Sequence, residues 1–367
     1  MGLWRRLFGD GGPKRSAWPG QGGSACRPSL PRARRTKAGR RRPLPEQRNL
    51  EQLGRLGLPD IRDSAHLAEL LQIPPGKLEW LAFPWDKQTV HYVKRQIPKR
   101  SGGMRVIHAP KPLLRRAQRW ILENVLERIR PAEVVHGFVK GRSIATNAAQ
   151  HVAKTVVLSA DLEDFFPSVS IATVQGLFLW MGYSGPVARS LALLCTCRCG
   201  RGRRTLPQGA PTSPAITNLV CWSLDRRLEG LARKFEATYT RYADDLTFSG
   251  DKELKNGLKR FLPLLLRVVK EEGFRANRRK LRFARQGRQQ VVTGLVVNAR
   301  PGVCRETRRR LRAILHNCRT RGVDSQNTGC DPLFLDRLRG RIAFVSQINP
   351  AHGAQLRAAW DQIAAHP

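Results

Sequence analysis

Apolar residues recur every three to four positions over much of the chain, which predicts amphipathic helices. Five segments have this spacing: 53–71, 113–129, 214–235, 253–272 and the tail from residue 301. Proline marks several of their ends, since Pro112 and Pro131 flank the second segment and Pro74 follows the first. Ser213 is the expected N-cap of the third segment, with Pro214 in its first turn.

Strand-like stretches lie between these helices. Four segments are alternating or continuously apolar: 91–108 around a turn at 101–103, 155–160, 239–249 and 291–297. The segment 239–249 consists of two short runs that meet at Ala243, Asp244 and Asp245. From residue 155 onward the order is β–α–β–β–α–β, which predicts an α+β fold with a ferredoxin-like sheet backed by two helices.

The charge of the chain indicates a polyanionic partner. Its 367 residues include 66 Lys and Arg against 28 Asp and Glu, a formal net charge of +38, which favours nucleic acid or an anionic membrane surface. No apolar run approaches the ~18 residues of a membrane span, and the N-terminus lacks the apolar core of a secretory signal. We therefore expect a cytoplasmic protein without a membrane partner. Residues 1–48, rich in Gly, Pro and Arg, are predicted to be a disordered basic arm.

Acidic residues are scarce, so a cluster of them indicates chemistry. Asp161 ends the strand 155–160, and Asp244 and Asp245 lie at the tip of the hairpin 239–249. Because these elements neighbour each other in such a sheet, we expect Asp161 and Asp244 to approach one another. Carboxylates brought together repel unless a cation lies between them, and two Mg²⁺ ions can support an in-line phosphoryl displacement. The alternative for the Asp-Asp pair alone is an ordinary β-turn.

Three motifs resemble sequence boxes of reverse transcriptases, and they occur in that family's order. Residues 242–245 (YADD) resemble the active-site box, and residues 206–214 (LPQGAPTSP) resemble the box that shapes the nucleotide pocket. Asp161, with Phe166 five residues later, resembles the first box.

Two further elements resemble the retron-type bacterial reverse transcriptases. Residues 147–151 (NAAQH) are similar to their Asn-Ala-x-x-His element, and residues 292–295 (VTGL) are similar to their Val-Thr-Gly element. The resemblance covers roughly residues 90–350. It implies a right-hand polymerase that divides into the disordered basic arm 1–48, N-terminal helices and fingers at 49–155, a palm at 156–300 with a fingers insertion at about 171–210, and a thumb at 301–367.

The resemblance also implies roles for the acidic residues and for Phe166. Asp161, Asp244 and Asp245 would form the catalytic set. Asp161, Asp244 and the backbone carbonyl of Leu162 would bind Mg²⁺, with Asp245 as a secondary or transient ligand. Phe166 would lie beneath the incoming sugar and exclude a ribose 2′-hydroxyl; its alternative role is that of an ordinary core aromatic.

A second group of residues would contact the nucleotide. Gln208 and Gly209 would line its pocket, the glycine allowing close approach of the backbone. Arg105, Arg142 and Lys280 are the candidates for the triphosphate. Each of these cations could instead be a solvated surface charge.

A third group would recognise RNA. Asn147 and His151 are spaced by four on an expected helix, and Thr293 and Gly294 belong to the second retron-like element. The alternative for His151 is a core histidine with satisfied hydrogen bonds. The eleven arginines between 300 and 341 would grip the template–primer duplex through its phosphates.

The resemblance implies an RNA-directed DNA polymerase that uses dNTPs and copies a structured non-coding RNA. Its primer would be the 2′-hydroxyl of a guanosine in that RNA, and its product a branched, RNA-linked single-stranded DNA (msDNA). A role in phage defence with a separate effector protein is also implied. The alternatives are a group II intron maturase and a non-catalytic basic RNA-binding protein.

Overall fold

A computed structural model describes residues 45–83, 91–98, 102–198 and 202–364 of the chain. The first 44 residues of the predicted arm 1–48 lie outside these ranges. Within them the helices are α1 (Leu50–Leu56), α2 (Ser64–Leu70), α3 (Pro75–Ala82), α4 (Pro112–Ile121), α5 (Ile144–Ala149), α6 (Phe165–Ser168), α7 (Ile171–Trp180), α8 (Gly185–Cys195), α9 (Ser213–Val220), α10 (Trp222–Arg233), α11 (Lys252–Glu271), α12 (Arg305–Arg321), α13 (Phe334–Ile348) and α14 (Pro350–Ala364). None of the described helices is long and apolar enough to cross a membrane.

The strands form three separate antiparallel sheets. They are β1 (Tyr92–Pro98), β2 (Met104–Pro110), β3 (Val156–Asp161), β4 (Thr238–Tyr242), β5 (Asp245–Gly250), β6 (Arg282–Arg285), β7 (Val291–Val292) and β8 (Leu295–Val296). Strands β1 and β2 form one hairpin and β7 and β8 another, while the central sheet has the order β4-β5-β3-β6. The predicted α+β class is therefore confirmed.

The last strand of the central sheet is not the one that the sequence predicted. The apolar segment 291–297 forms the separate β7–β8 pair, and β6 pairs with β3 instead, with Val156 opposite Arg285 and Ser159 opposite Arg282. The sequence pattern did not indicate β6, because its arginines interrupt the run of apolar residues. A strand at a sheet edge tolerates such charged residues, since many of its side chains face solvent.

Two predicted helices are interrupted. The segment 53–71 is split by Gly57, whose left-handed backbone (φ +64°) caps α1, and Asp63 then caps α2. The segment 214–235 is split at Cys221 into α9 and α10, and Thr212 takes the N-cap position expected of Ser213. Helices α4 and α11 agree with their predicted segments, with α4 continuing as a π-helical turn at Leu122–Leu126.

One face of the central sheet is covered by α10 and α11. The aromatic rings of Tyr239 and Phe248 stack on this face with centroids 4.8 Å apart, and Phe248 meets Phe261 of α11 edge-on at 5.0 Å. By strand alternation Thr240 and Ser249 lie on the other face, where both are hydrogen-bonded to His151, just after α5. A second hydrophobic core joins α12, α13 and α14 to β7–β8 and reaches the sheet at Val157.

Candidate active site

The predicted acidic residues converge at one end of the central sheet. Asp161, the last residue of β3, lies directly opposite Asp245, the first residue of β5. The backbone amide of Leu162 donates to the carbonyl oxygen of Asp244 at 3.0 Å, which joins the end of β3 to the β4–β5 turn. Ala243 makes this turn possible with a left-handed backbone (φ +58°). The predicted approach of Asp161 to Asp244 is confirmed.

Burial and neighbouring carboxylates disfavour the charged forms of Asp244 and Asp245. Burial raises the pKa of Asp244, and the Asp161 carboxylate raises it further. Desolvation in the cleft, with the carboxylates of Asp244 and Asp161, raises the pKa of Asp245 to about 7. The Nζ of Lys280 lies 2.9 Å from Asp161 Oδ1, and this contact raises the pKa of Lys280. Lys280 offsets part of the repulsion among the carboxylates, and an added cation would be stabilised by the same charges.

The site offers carboxylate oxygens to a metal ion. In the described residues, no three His, Cys, Asp or Glu side chains are grouped closely enough to hold a metal ion. The expected ligands Asp161 and Asp244, with Asp245 as a secondary or transient one, stay a prediction. A carboxylate pair fits a hard cation that keeps water and accepts substrate oxygens.

A buried ion pair fixes the turn between β4 and β5, formed by Ala243 and Asp244 and called the catalytic turn below. The guanidinium of Arg241 donates to both carboxylate oxygens of Asp225, at 2.8 and 2.7 Å, and both side chains are 0% exposed. Its Nη1 also donates to Asn218 Oδ1 at 3.1 Å and to the carbonyl oxygen of Ala243 at 3.2 Å. Burial alone would lower the pKa of Arg241, but the Asp225 carboxylate holds it above its usual range.

Sequence reasoning missed this pair, although a signal was present. Arg241 lies in a strand that is otherwise uncharged, and a charge buried in a strand requires a partner. Asp225 is buried on α10, where it also accepts from the hydroxyl of Tyr239 at 2.9 Å.

The loop 134–138 packs against the same turn. The amide of Arg241 donates to Val134 O, and the amide of His136 donates to Arg241 O, both at 2.8 Å. A Cβ on Gly137 would lie 2.4 Å from the backbone nitrogen of Ala243, so only glycine fits there. This loop is a second determinant of the catalytic turn that the motifs did not indicate.

The predicted nucleotide-pocket residues lie around this end of the sheet. Phe166 is half-buried on α6, with Phe165 at a ring-centroid distance of 5.5 Å. The amide of His108 on β2 donates to Gln208 O at 2.7 Å, and Gly209 (φ +117°) packs on the same strand. Arg105, exposed on β2, lies close enough to lower the pKa of Asp244.

Arg142 occupies a different position. Its Nη1 donates to the carbonyl oxygens of Glu133 and Val135, the latter at 2.6 Å. These contacts give Arg142 a role in holding the loop beside the catalytic turn. Both hydrogen bonds come from Nη1, and the predicted contact of Arg142 with the triphosphate stays a prediction.

The two retron-like elements meet each other. Asn147 Nδ2 lies 3.5 Å from Thr293 Oγ1, which donates to the carbonyl oxygen of Ile144 at 3.2 Å. Thr293 and Gly294 both have positive φ, at +46° and +85°, which forms the tight turn between β7 and β8.

Direct RNA contact by His151 and Asn147 does not fit the structure. Both side chains are 0% exposed. Hydrogen bonds of 2.7 Å join His151 Nδ1 to Ser249 Oγ and His151 Nε2 to Thr240 Oγ1. The helix α5 is thereby attached to β4 and β5 behind the catalytic turn, so the alternative of a satisfied core histidine describes His151.

A cleft of about 550 Å³ lies beside the central sheet, between the ends of β3 and β5 and the β7–β8 turn. Its lining includes Asp161, Asp245 and Lys280 together with Thr293 and Gly294. The carboxylates and the second retron-like element therefore share one surface.

Comparison with known proteins agrees with this arrangement. The family model described as reverse transcriptase (RNA-dependent DNA polymerase) matches residues 97–301. The chain is 44% identical to the retron Mx65 reverse transcriptase of Myxococcus xanthus, over 83% of this chain and 73% of that protein. It is 31% identical to the retron Ec86 reverse transcriptase of Escherichia coli, over 83% of this chain and 90% of that protein.

These relatives favour the retron assignment over a group II intron maturase, and an RNA-directed DNA polymerase over a non-catalytic binder. The matched range 97–301 contains Asp161, Asp244 and Asp245. The chain belongs to the retron-type reverse transcriptases, which are RNA-directed DNA polymerases.

Proposed function

We propose that the protein copies a structured non-coding RNA into single-stranded DNA, starting from the 2′-hydroxyl of a guanosine in the same RNA. The product is a branched, RNA-linked msDNA. The observation that carries this proposal is the contact between Asn147 and Thr293, which brings the two retron-like elements together at the cleft that contains Asp161. Thr293 and Gly294 line the cleft and are the members of this group that contact RNA, while Asn147 and His151 support them from the interior.

The chain works as a right hand in this proposal. The hairpin β1–β2 belongs to the fingers, the central sheet with α10 and α11 is the palm, and α12 to α14 form the thumb. The arginines of α12, five of them between 305 and 312, neutralise phosphates of the template–primer duplex. Affinity for the duplex then falls steeply as salt is added.

Asp161 and Asp244, with the Leu162 carbonyl, would hold Mg²⁺ in a two-ion site. When bound, the ions lower the pKa of the attacking hydroxyl and neutralise charge on the transferred phosphate and the leaving oxygen. Lys280 offsets the negative charge of Asp161 when the site is open. Asp245 adds negative charge to the same surface and orders water or nucleotide around the pair.

The incoming dNTP lies between β2 and the palm. Gln208 and Gly209 are bound to β2 by the His108 amide, so the pocket wall and the exposed Arg105 move as one unit. Arg105 and Lys280 contact the triphosphate. Phe166 closes the sugar side and excludes a 2′-hydroxyl by bulk.

We further propose that the msDNA acts in anti-phage defence together with a separate effector protein. The family membership supports this step, and the proposed branched product would provide a distinct molecule for a partner to recognise.

Purification from native cells tests the proposed product. The nucleic acid that co-purifies with the protein is sequenced before and after treatment with a debranching enzyme, in parallel with an Asp161→Asn variant. The proposal expects DNA joined to RNA by a 2′,5′ bond for the wild type, and the RNA alone for the variant. Linear DNA that debranching leaves unchanged would support the intron-type alternative instead.

A further inference from the structure

Phe138 stands beside the proposed sugar gate. The ring centroids of Phe138 and Phe166 are 6.3 Å apart, and the ring planes are tilted by 44°. Phe165 lies 5.5 Å from Phe166 in another tilted contact. Phe138 is 38% exposed, so its ring meets both Phe166 and the solvent. Phe166 therefore has two aromatic neighbours, Phe138 and Phe165.

The backbone holds Phe138 firmly in this place. Its φ is +61°, a left-handed conformation that a bulky residue adopts only when its surroundings impose it. The preceding Gly137 packs against Ala243, and its carbonyl oxygen accepts from Asn218 Nδ2 at 3.0 Å. Asn218 in turn accepts from Arg241. The loop that carries Phe138 is thus fixed to the turn that carries Asp244.

A gate that excludes an oxygen atom by bulk works only if its ring cannot turn aside. Phe166 is half-buried on the four-residue helix α6, which alone gives little restraint. The ring of Phe138, with its centroid 6.3 Å from that of Phe166, adds a restraint from a separate segment of the chain. Because the same loop holds the catalytic turn, the gate keeps a constant position relative to the metal-binding carboxylates.

We propose that Phe138 is a positioning residue for sugar selection, which acts through Phe166 to discriminate deoxyribonucleoside from ribonucleoside triphosphates. This inference rests on the proposed role of Phe166 as the gate. Removing the Phe138 ring lets Phe166 move and admits a 2′-hydroxyl.

The test compares kcat/KM for dGTP and GTP on a primed RNA template. The ratio of the two values does not depend on the fraction of enzyme that is folded, so partial misfolding cannot imitate the effect. Phe138→Ala should lower the ratio about 3- to 10-fold, which corresponds to about 0.6–1.4 kcal/mol and to the loss of one aromatic pair. Phe138→Tyr keeps the ring and should restore the wild-type ratio.

Phe283→Ala is the matched control. Phe283 is 51% exposed on β6, where strand alternation directs it away from the cleft lined by Arg282 and Ala284. The ratio of kcat/KM for dGTP to that for GTP should be the same for Phe283→Ala as for the wild type.

Phe166→Ala separates two kinds of failure. If Phe166→Ala lowers the ratio and Phe138→Ala leaves it unchanged, this inference is overturned and the gate stands. If Phe166→Ala leaves the ratio unchanged, the gate role fails and the inference fails with it. A double variant that loses no more discrimination than Phe166→Ala would support action through Phe166.

Discussion

Replacing Asp225 by Leu should destabilise the protein strongly, because it leaves the guanidinium of Arg241 buried without a counter-ion. Two of the four hydrogen bonds of that guanidinium end on Asp225, and both side chains are 0% exposed. Breaking a buried pair on one side costs about 3–5 kcal/mol of unfolding free energy. The matched control is Arg267→Gln, whose pair with Glu271 is exposed (74% and 41%), so its loss should change the stability little.

Guanidinium denaturation followed by tryptophan fluorescence measures the difference. The double variant Arg241→Met with Asp225→Leu removes both charges and should recover most of the lost stability, since apolar replacement of a whole buried pair is close to neutral. The polymerase activity of the double variant should stay low, because it lacks Arg241. In the wild type, Arg241 Nη1 donates to the carbonyl oxygen of Ala243 at 3.2 Å and holds the catalytic turn.

Two results would refute this reasoning. A cost below about 1 kcal/mol for Asp225→Leu would mean that the guanidinium finds water, so that the pair is not buried as described. Full polymerase activity in the double variant would mean that Arg241 does not position the turn.

Three other predictions concern the surroundings of the site. Gly137→Ala should abolish polymerisation and cost about 1–3 kcal/mol in denaturation, because the new Cβ would lie 2.4 Å from Ala243 N. Gly209→Ala should raise the KM for dNTPs in steady-state assays, because its Cβ would lie 2.7 Å from Ile107 Cγ2 at a φ of +117°. Burial lowers the pKa of His151 to about 3, so only the unfolded chain binds the proton as the pH falls below 6.5. Stability should therefore fall by up to about 1.4 kcal/mol per pH unit between pH 6.5 and 3, and His151→Gln should flatten this dependence in melting curves; an unchanged slope would contradict it.

The parts of the fold that the sequence predicted correctly are those with a strong local pattern. The apolar run before Asp161 and the two short runs around Asp244 became β3, β4 and β5, and their adjacency follows from the order of the elements. The edge strand β6 was missed because its arginines break the apolar pattern. The helices break at Gly57 and Cys221, although the apolar spacing continues beyond both residues. The spacing alone therefore predicts one helix where the structure has two.

The sequence predicted the site residues whose type and spacing both indicate their role. It did not predict roles that depend on which residues the fold brings into contact. The three aspartates stand out in a chain with few acids. His151 has the same spacing to Asn147 whether the two face RNA or the interior, and only the partners Ser249 and Thr240 settle that choice. The contact of Phe138 with Phe166 joins residues 28 positions apart, which no local pattern reveals.

In the proposed mechanism, Asp161 and Asp244 hold the metal ions for DNA synthesis. Asp244→Asn removes a carboxylate ligand but no phosphate contact, so it separates metal binding from RNA binding. Incorporation of dNTPs on a primed RNA is measured beside RNA affinity, with the exposed Asp361→Asn as the control. Asp244→Asn should lose synthesis and keep RNA affinity, while Asp361→Asn should keep both; normal synthesis by Asp244→Asn would show that Asp244 is not a metal ligand.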